Sequence, residues 1–196
     1  SLAIGMSPFL MNLAACFIVI IINQGLKKYG GDLAIGAFGI VNRLVFIVVM
    51  IVMGLNQGMQ PIAGYNFGAK LYGRVNKVLK LTIIYATAVT TFGFLVGMLV
   101  PDLVVGIFTS DAELTELSVT GLRITVMFFP IIGFQMVTSN FFQSIGMAGK
   151  AIFLSLTRQM LILLPCLLVL PQFFGVAGVW YSMPVSDLLA SLIALV

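Results

Sequence analysis

The sequence predicts an all-α integral membrane protein of six transmembrane helices. Three observations carry that reading. The 196 residues are 61% hydrophobic and 8% charged, with a mean hydropathy of +1.17, against roughly 45 to 50% apolar and about 25% charged in soluble domains. Six apolar runs divide the chain. The charged residues gather in the stretches between those runs, where turn-forming residues also fall.

A hydrocarbon core about 30 Å thick needs roughly 20 apolar residues per helix. By that measure the spans lie at residues 2–26, 34–60, 78–100, 118–145, 151–170 and 174–196. The first begins "LAIGMSPFLMNLAACFIVIII", too long for a signal peptide and without its basic start or small-residue cleavage site. The breaks read "KKYGGD", "GAKLYGRVNK", "PDLVVGIFTSDAEL", "GMAGK" and "PQFFG". Lipid offers no water to unpaired backbone groups, so the runs are helices; the alternating strands of a barrel do not occur in the sequence.

Charge orients the bundle. Lys70, Arg74, Lys77, Lys80, Lys150 and Arg158 fall on one side. Lys27, Lys28 and a helix-start Arg123 fall on the other, with Asp32, Asp102, Asp111, Glu113 and Glu116. The positive-inside rule makes the first side cytoplasmic, with both ends of the chain there. Lys70, Arg74 and Lys77 share a face of a possible short helix and suit an interfacial segment on anionic lipid, or an ordinary basic loop.

Several chemistries are excluded. The absence of histidine removes triads and histidine-based metal sites. Cys16 and Cys166 sit in separate apolar runs and read as small buried apolar residues. The net charge of +4 belongs to topology, not to nucleic acid. A membrane enzyme would need a nucleophile with its base, and the spans hold one Asp, no Glu and no His.

Polar groups inside the membrane are the functional leads, because they are costly there. Asn12, Cys16 and Asn23 fall on one face of the first span; Gln135, Thr138, Ser139, Phe142 and Gln143 fall on one face of the fourth. Such stripes either join helices or line a pathway. Asn42 and Arg43 in the second span and Asn140 in the fourth join them as cleft candidates. Pro8, Pro130 and Pro184 each remove a backbone donor within a span and predict kinks. Arg158 and Asp187 lie at similar depth on neighbouring antiparallel spans and predict an ion pair, structural or part of proton coupling, its place near the cytoplasmic edge favouring the structural reading. The amide- and glycine-rich "GLNQGMQPIAGYNFGAK" reads as the cytoplasmic exit of the second span, its amides near headgroups. Its Gly54/Gly58 and Gly64/Gly68 pairs predict close helix approach. A phosphate loop is excluded by the missing Walker lysine and Ser or Thr.

Four stretches in order, "GAFGIVNRLVFIVVMIVMGLNQGMQPIAGYNFGA", "FFQSIGMAGKA", "LTRQMLILLPCLLVLP" and "GVAGVWYSMPVSD", with the loop "GIFTSDAEL", make the chain resemble the multidrug and toxic compound extrusion (MATE) family. The resemblance covers nearly the whole chain, corresponds to the second half of such a transporter, and is nearest to the MepA-like bacterial branch. It implies twelve helices in two six-helix lobes with a drug-binding cleft. This chain would be the C-terminal lobe in a bacterial cytoplasmic (inner) membrane, the N-terminal lobe lying outside it. It further implies efflux of cationic amphiphilic compounds in exchange for H⁺ or Na⁺, with no organic cofactor.

One departure bears on coupling. The NorM-like branch carries an embedded Glu and an Asp in the helices corresponding to spans 2–26 and 118–145. Here those spans offer Asn12, Asn23 and Gln24, then Gln135, Asn140 and Gln143. The resemblance therefore places the coupling acid in the other lobe, with this lobe supplying an amide-lined wall rich in Met and Phe. Two further readings are a lipid or lipid-linked oligosaccharide flippase of the same superfamily and a half-protein with no transport of its own.

Overall fold

The computed structural model describes residues 2–147, 149, 153 and 156–194, with side chains at 9, 12–147, 149, 153 and 156–190. The expected cytoplasmic Lys150 lies outside the described residues. Among those described, every regular element is helical.

Helix α1 (Leu2–Gly68) is broken at Gly31, whose φ of 66° and ψ of −162° no residue with a Cβ adopts readily. The break makes two arms, each long enough to cross a bilayer. It stands where "KKYGGD" predicts a turn, and one glycine supplies the whole of it. The second arm runs past the expected end at 60, through Pro61, to Gly68. There Lys70, at a φ of 58°, turns the chain while Leu71 N–H donates to Asn66 O at 2.9 Å. Lys70 thus lies off the helix that carries Arg74 and Lys77, and the three share no helical face.

Helix α2 (Tyr72–Leu99) returns, and a short α3 (Pro101–Gly106) follows, entered by Pro101 in its first turn. Asp111 caps α4 (Ala112–Val126) through Oδ1, which accepts from Leu114 N–H at 2.9 Å. Arg123 therefore sits in the last turn of α4, not at a helix start. Helix α5 (Phe129–Ser144) restarts with Pro130 in its first turn, bent by 55° from α4. A π-wound turn (Thr157–Leu163) leads into α6 (Leu164–Phe174), and Gly175 alone separates α6 from α7 (Val176–Ala194). Pro171, expected to end a span, lies buried inside α6 instead, and its carbonyl accepts from Gly175 N–H at 2.9 Å.

By length and composition, three helices among the described residues suit a membrane crossing, or up to four if α4 and α5 form one bent span. Helix α1 counts once there, although Gly31 divides it. The main core joins both arms of α1 to α4, α5, the π turn, α6 and α7 around Leu26, Val41, Leu122, Leu163 and Trp180. A second cluster joins the second arm to α2 and α5 around Val52, Met59, Ala86 and Val137. Of the glycines expected at close approach, only Gly64 is near a neighbouring helix, where a Cβ would lie 3.0 Å from Ser144 O. A Cβ on Gly54, Gly58 or Gly68 would meet open space, whereas one on Gly121 would strike the Trp180 ring and one on Gly133 the Ala86 backbone.

Candidate functional site

Two polar seams run through this apolar body. The first joins the second arm of α1 to α5. Val52, Asn56, Met59, Gln60 and Ala63 recur at helical spacing, so one stripe of the arm carries both amides into the second core cluster. Gln60 Nε2 donates to Asn140 Oδ1 at 3.4 Å, and Asn140 Nδ2 donates to Met136 O at 2.9 Å. One turn on, Ser144 O would lie 3.0 Å from a Cβ on Gly64, so the two helices run side by side in the same direction. Asn56 is 2% exposed, and neither its Nδ2 nor its Oδ1 has a hydrogen-bond partner among the described residues. The amides expected at the headgroups are thus divided. Gln57 is exposed, while Asn56 and Asn66 are buried in protein and Gln60 bonds across to α5.

The remaining cleft candidates differ in burial. Asn12, Asn42 and Arg43 are exposed on α1, and Asn23 is half-buried. On α5, Ser139, Asn140 and Gln143 are half-buried; Gln135 is 5% exposed, its Oε1 without a partner among the described residues. Gln135 precedes Asn140 by five residues, which turns it about 140° away from the α1 seam. Cys16 is exposed and Cys166 half-buried, so neither is the fully buried apolar residue expected. Asn56 and Gln60 fall outside the candidate set because a glycine-rich stretch beside a basic patch reads as a helix exit. The signal that could have found them is their spacing of four residues, in step with buried Val52 and Met59.

The second seam is charged. Arg158 Nη2 lies 2.6 Å from Asp187 Oδ1, with side-chain exposures of 33% and 7%. Arg158 belongs to the π turn, in which Leu164 N–H donates to Gln159 O, five residues back. Pro184 is buried one turn before Asp187 in α7, and its missing N–H leaves the Trp180 carbonyl without its helical donor. Pro8 lies within the first arm of α1, where the backbone is helical; its side chain is outside the described set.

Two cavities among the described residues are lined by residues other than those of the seams. One, of about 390 Å³, lies where Gly30, Glu113, Glu116, Thr120 and Val176 bring together the break in α1 and the starts of α4 and α7. The other, of about 240 Å³, is almost wholly apolar and lies among α1, α2 and the α4–α5 bend, lined by Val48, Phe92, Gly97, Val126 and Phe129.

Buried amides, a buried charge pair and bent, proline-bearing helices suit the handling of solutes within a membrane. Known proteins agree with that setting. The chain is 29% identical over 192 residues to the multidrug export protein MepA of Staphylococcus aureus (strain MSSA476), covering 98% of this chain and 42% of that protein. It is 25% identical to MepA of Staphylococcus saprophyticus with the same coverage. Among solved structures, the MATE multidrug transporter DinF-BH is 36% identical, with a TM-score of 0.86 over 98% of this chain and 43% of that one. The Vibrio cholerae MATE transporter VcmN in its bent form shares the fold at a TM-score of 0.89 and 20% identity, over 98% of this chain and 44% of that one. The chain thus spans less than half the length of the curated relatives it matches. The MatE family model matches residues 7–168, most of the chain, and the chain belongs to that family.

Proposed function

We propose that the chain serves as the C-terminal lobe of a multidrug exporter that expels cationic amphiphilic compounds in exchange for H⁺ or Na⁺. The single observation that carries this reading is the match to MepA along 98% of the chain. That match falls on 42% of the relative, the share one lobe of two would cover. In this reading the exposed Asn12, Asn42 and Arg43 and the half-buried Asn23, Ser139 and Gln143 contribute to a cleft completed by an N-terminal lobe. Its Met- and Phe-rich surroundings adapt to varied apolar shapes. The coupling acid is placed in that other lobe, since spans 2–26 and 118–145 carry no carboxylate inside the membrane. The setting is a bacterial cytoplasmic membrane with both ends of the chain inside.

The test is efflux of a fluorescent cationic dye from cells that express both lobes, with the proton and sodium gradients collapsed separately. Loss of efflux with one gradient identifies the coupling ion. Efflux indifferent to both gradients contradicts ion exchange. Export of a lipid-linked sugar in place of the dye would favour a flippase.

A further inference from the structure

The π turn sets the register of the charged seam. From the end of the π turn into α6 the face turned inward is marked by Leu163, Leu167 and Pro171, all buried and four residues apart. One α-helical turn before Leu163 is Gln159. The π winding puts five residues in the hydrogen-bonded turn, as the Leu164 N–H to Gln159 O bond shows. Thr157 is the buried residue of that turn, and Arg158, half-buried beside it and five residues before Leu163, reaches Asp187. Gln159, displaced by that extra residue, keeps its Oε1 buried without a partner among the described residues. An amide oxygen accepts a hydrogen bond from a neutral acid and repels a carboxylate.

The two members of the pair are unequally held. Asp187 is enclosed, whereas a third of the Arg158 side chain is exposed. The guanidinium can turn outward and keep its charge in contact with water or headgroups, while the carboxyl group can stay buried only if it is neutral or paired. The other charged groups on the surrounding helices are turned to the outside. Helix α5 carries no titratable side chain. Glu113, Glu116 and Arg123 of α4, and Lys27, Lys28, Asp32 and Arg43 of α1, are all exposed. Cys166 of α6 lies two turns beyond Arg158, and Tyr181 of α7 is exposed.

We propose that Asp187 is an exchangeable proton site with two alternative partners: Arg158 for the carboxylate in the π-wound register, and Gln159 for the protonated acid in an α-wound register. A proton from water reaches Asp187 past the exposed side of Arg158 and forms the O–H bond. Arg158 stays protonated and turns outward. The turn tightens by one residue, and Gln159 Oε1 accepts from the new O–H. Loss of the proton reverses each step. The inference does not rest on the export reading, and none of its readouts is transport.

The test is a pH titration of the full chain in lipid nanodiscs, following the infrared band of a protonated carboxyl and the emission of Trp180. Trp180 is the single tryptophan, buried in α7 two turns before Asp187 and 5.9 Å from the Phe38 ring. The expected result is one transition shared by both signals and absent from Asp187→Asn. Arg158→Gln removes the partner of the carboxylate and moves the midpoint to higher pH by about 1 unit or more. Gln159→Leu removes the partner of the neutral acid and moves it to lower pH. Arg158→Lys keeps the charge and holds the midpoint nearer the wild-type value than Arg158→Gln does. If Asp187→Asn fails to fold, the three variants that keep the acid carry the test. A band that never appears, or Gln159→Leu titrating like the wild type, overturns the proposal and leaves a static ion pair.

Discussion

The α1–α5 seam and the seam between the π turn and α7 solve one problem differently. Both place polar side chains where the lobe is otherwise apolar. The first uses neutral amides, and its cross-helix bond is long, at 3.4 Å, beside an Asn56 that no described residue satisfies. The second uses full charges at 2.6 Å, and the helix backbone itself is rewound to bring them together. Neutral groups can be left poorly matched at a moderate cost, whereas a buried carboxylate that has lost its counter-charge is far more costly. The contrast teaches that geometry is strictly specified only where the penalty for a mismatch is large.

The largest expected effect follows from that penalty. Arg158→Leu takes the guanidinium away from a buried carboxylate and should lower stability by about 3 kcal/mol, the low end for a broken buried pair because Arg158 is partly exposed. Arg158→Leu combined with Asp187→Leu should recover most of the loss. Unfolding of the detergent-solubilised protein measures both. Equal losses in the single and double variants would erase the distinction between the seams.

Backbone contact sharpens the comparison at an intermediate scale. A Cβ on Gly178 would overlap the Leu170 carbonyl where α6 and α7 meet, so Gly178→Ala should cost about 2 to 3 kcal/mol. Gly64→Ala, which brings a Cβ within 3.0 Å of Ser144 O at the amide seam, should cost about 1 kcal/mol. The same unfolding assay ranks them, and the reverse order would show that the amide seam is the tighter one.

The smallest effects belong to the amides. Asn56→Leu replaces a side chain whose two polar atoms meet no partner among the described residues, and should be neutral or stabilise by about 1 kcal/mol. Gln60→Leu leaves Asn140 Oδ1 without its donor and should cost about 1 kcal/mol. A loss on Asn56→Leu larger than that on Gln60→Leu would mean that Asn56 is satisfied by a group outside the described residues.

Much of the fold was legible in the sequence, because hydropathy, turn residues and span length all act locally. The break at Gly31, the bend before Pro130 and the depth match of Arg158 with Asp187 could be read from residue positions alone. What escaped depends on neighbours. Pro171 reads as the start of a span break but lies within a helix, because a lost donor inside a helix is tolerated when the rest of the turn packs. The π turn has no local signature in "LTRQMLIL"; it is visible only through the partner that Arg158 reaches. The candidate residues were legible as types, but not their contacts. Asn140 meets Gln60, which sequence alone assigns to a headgroup exit, and Gln135 faces elsewhere on α5.

The central claim is that this chain is one lobe whose transport requires another. Dye efflux from cells that express the chain alone, set beside cells that also express an N-terminal lobe of a similar exporter, tests it most directly. The account predicts gradient-driven efflux only in the second case. Equal efflux by the chain alone would contradict it and make Asp187 the first candidate for ion coupling.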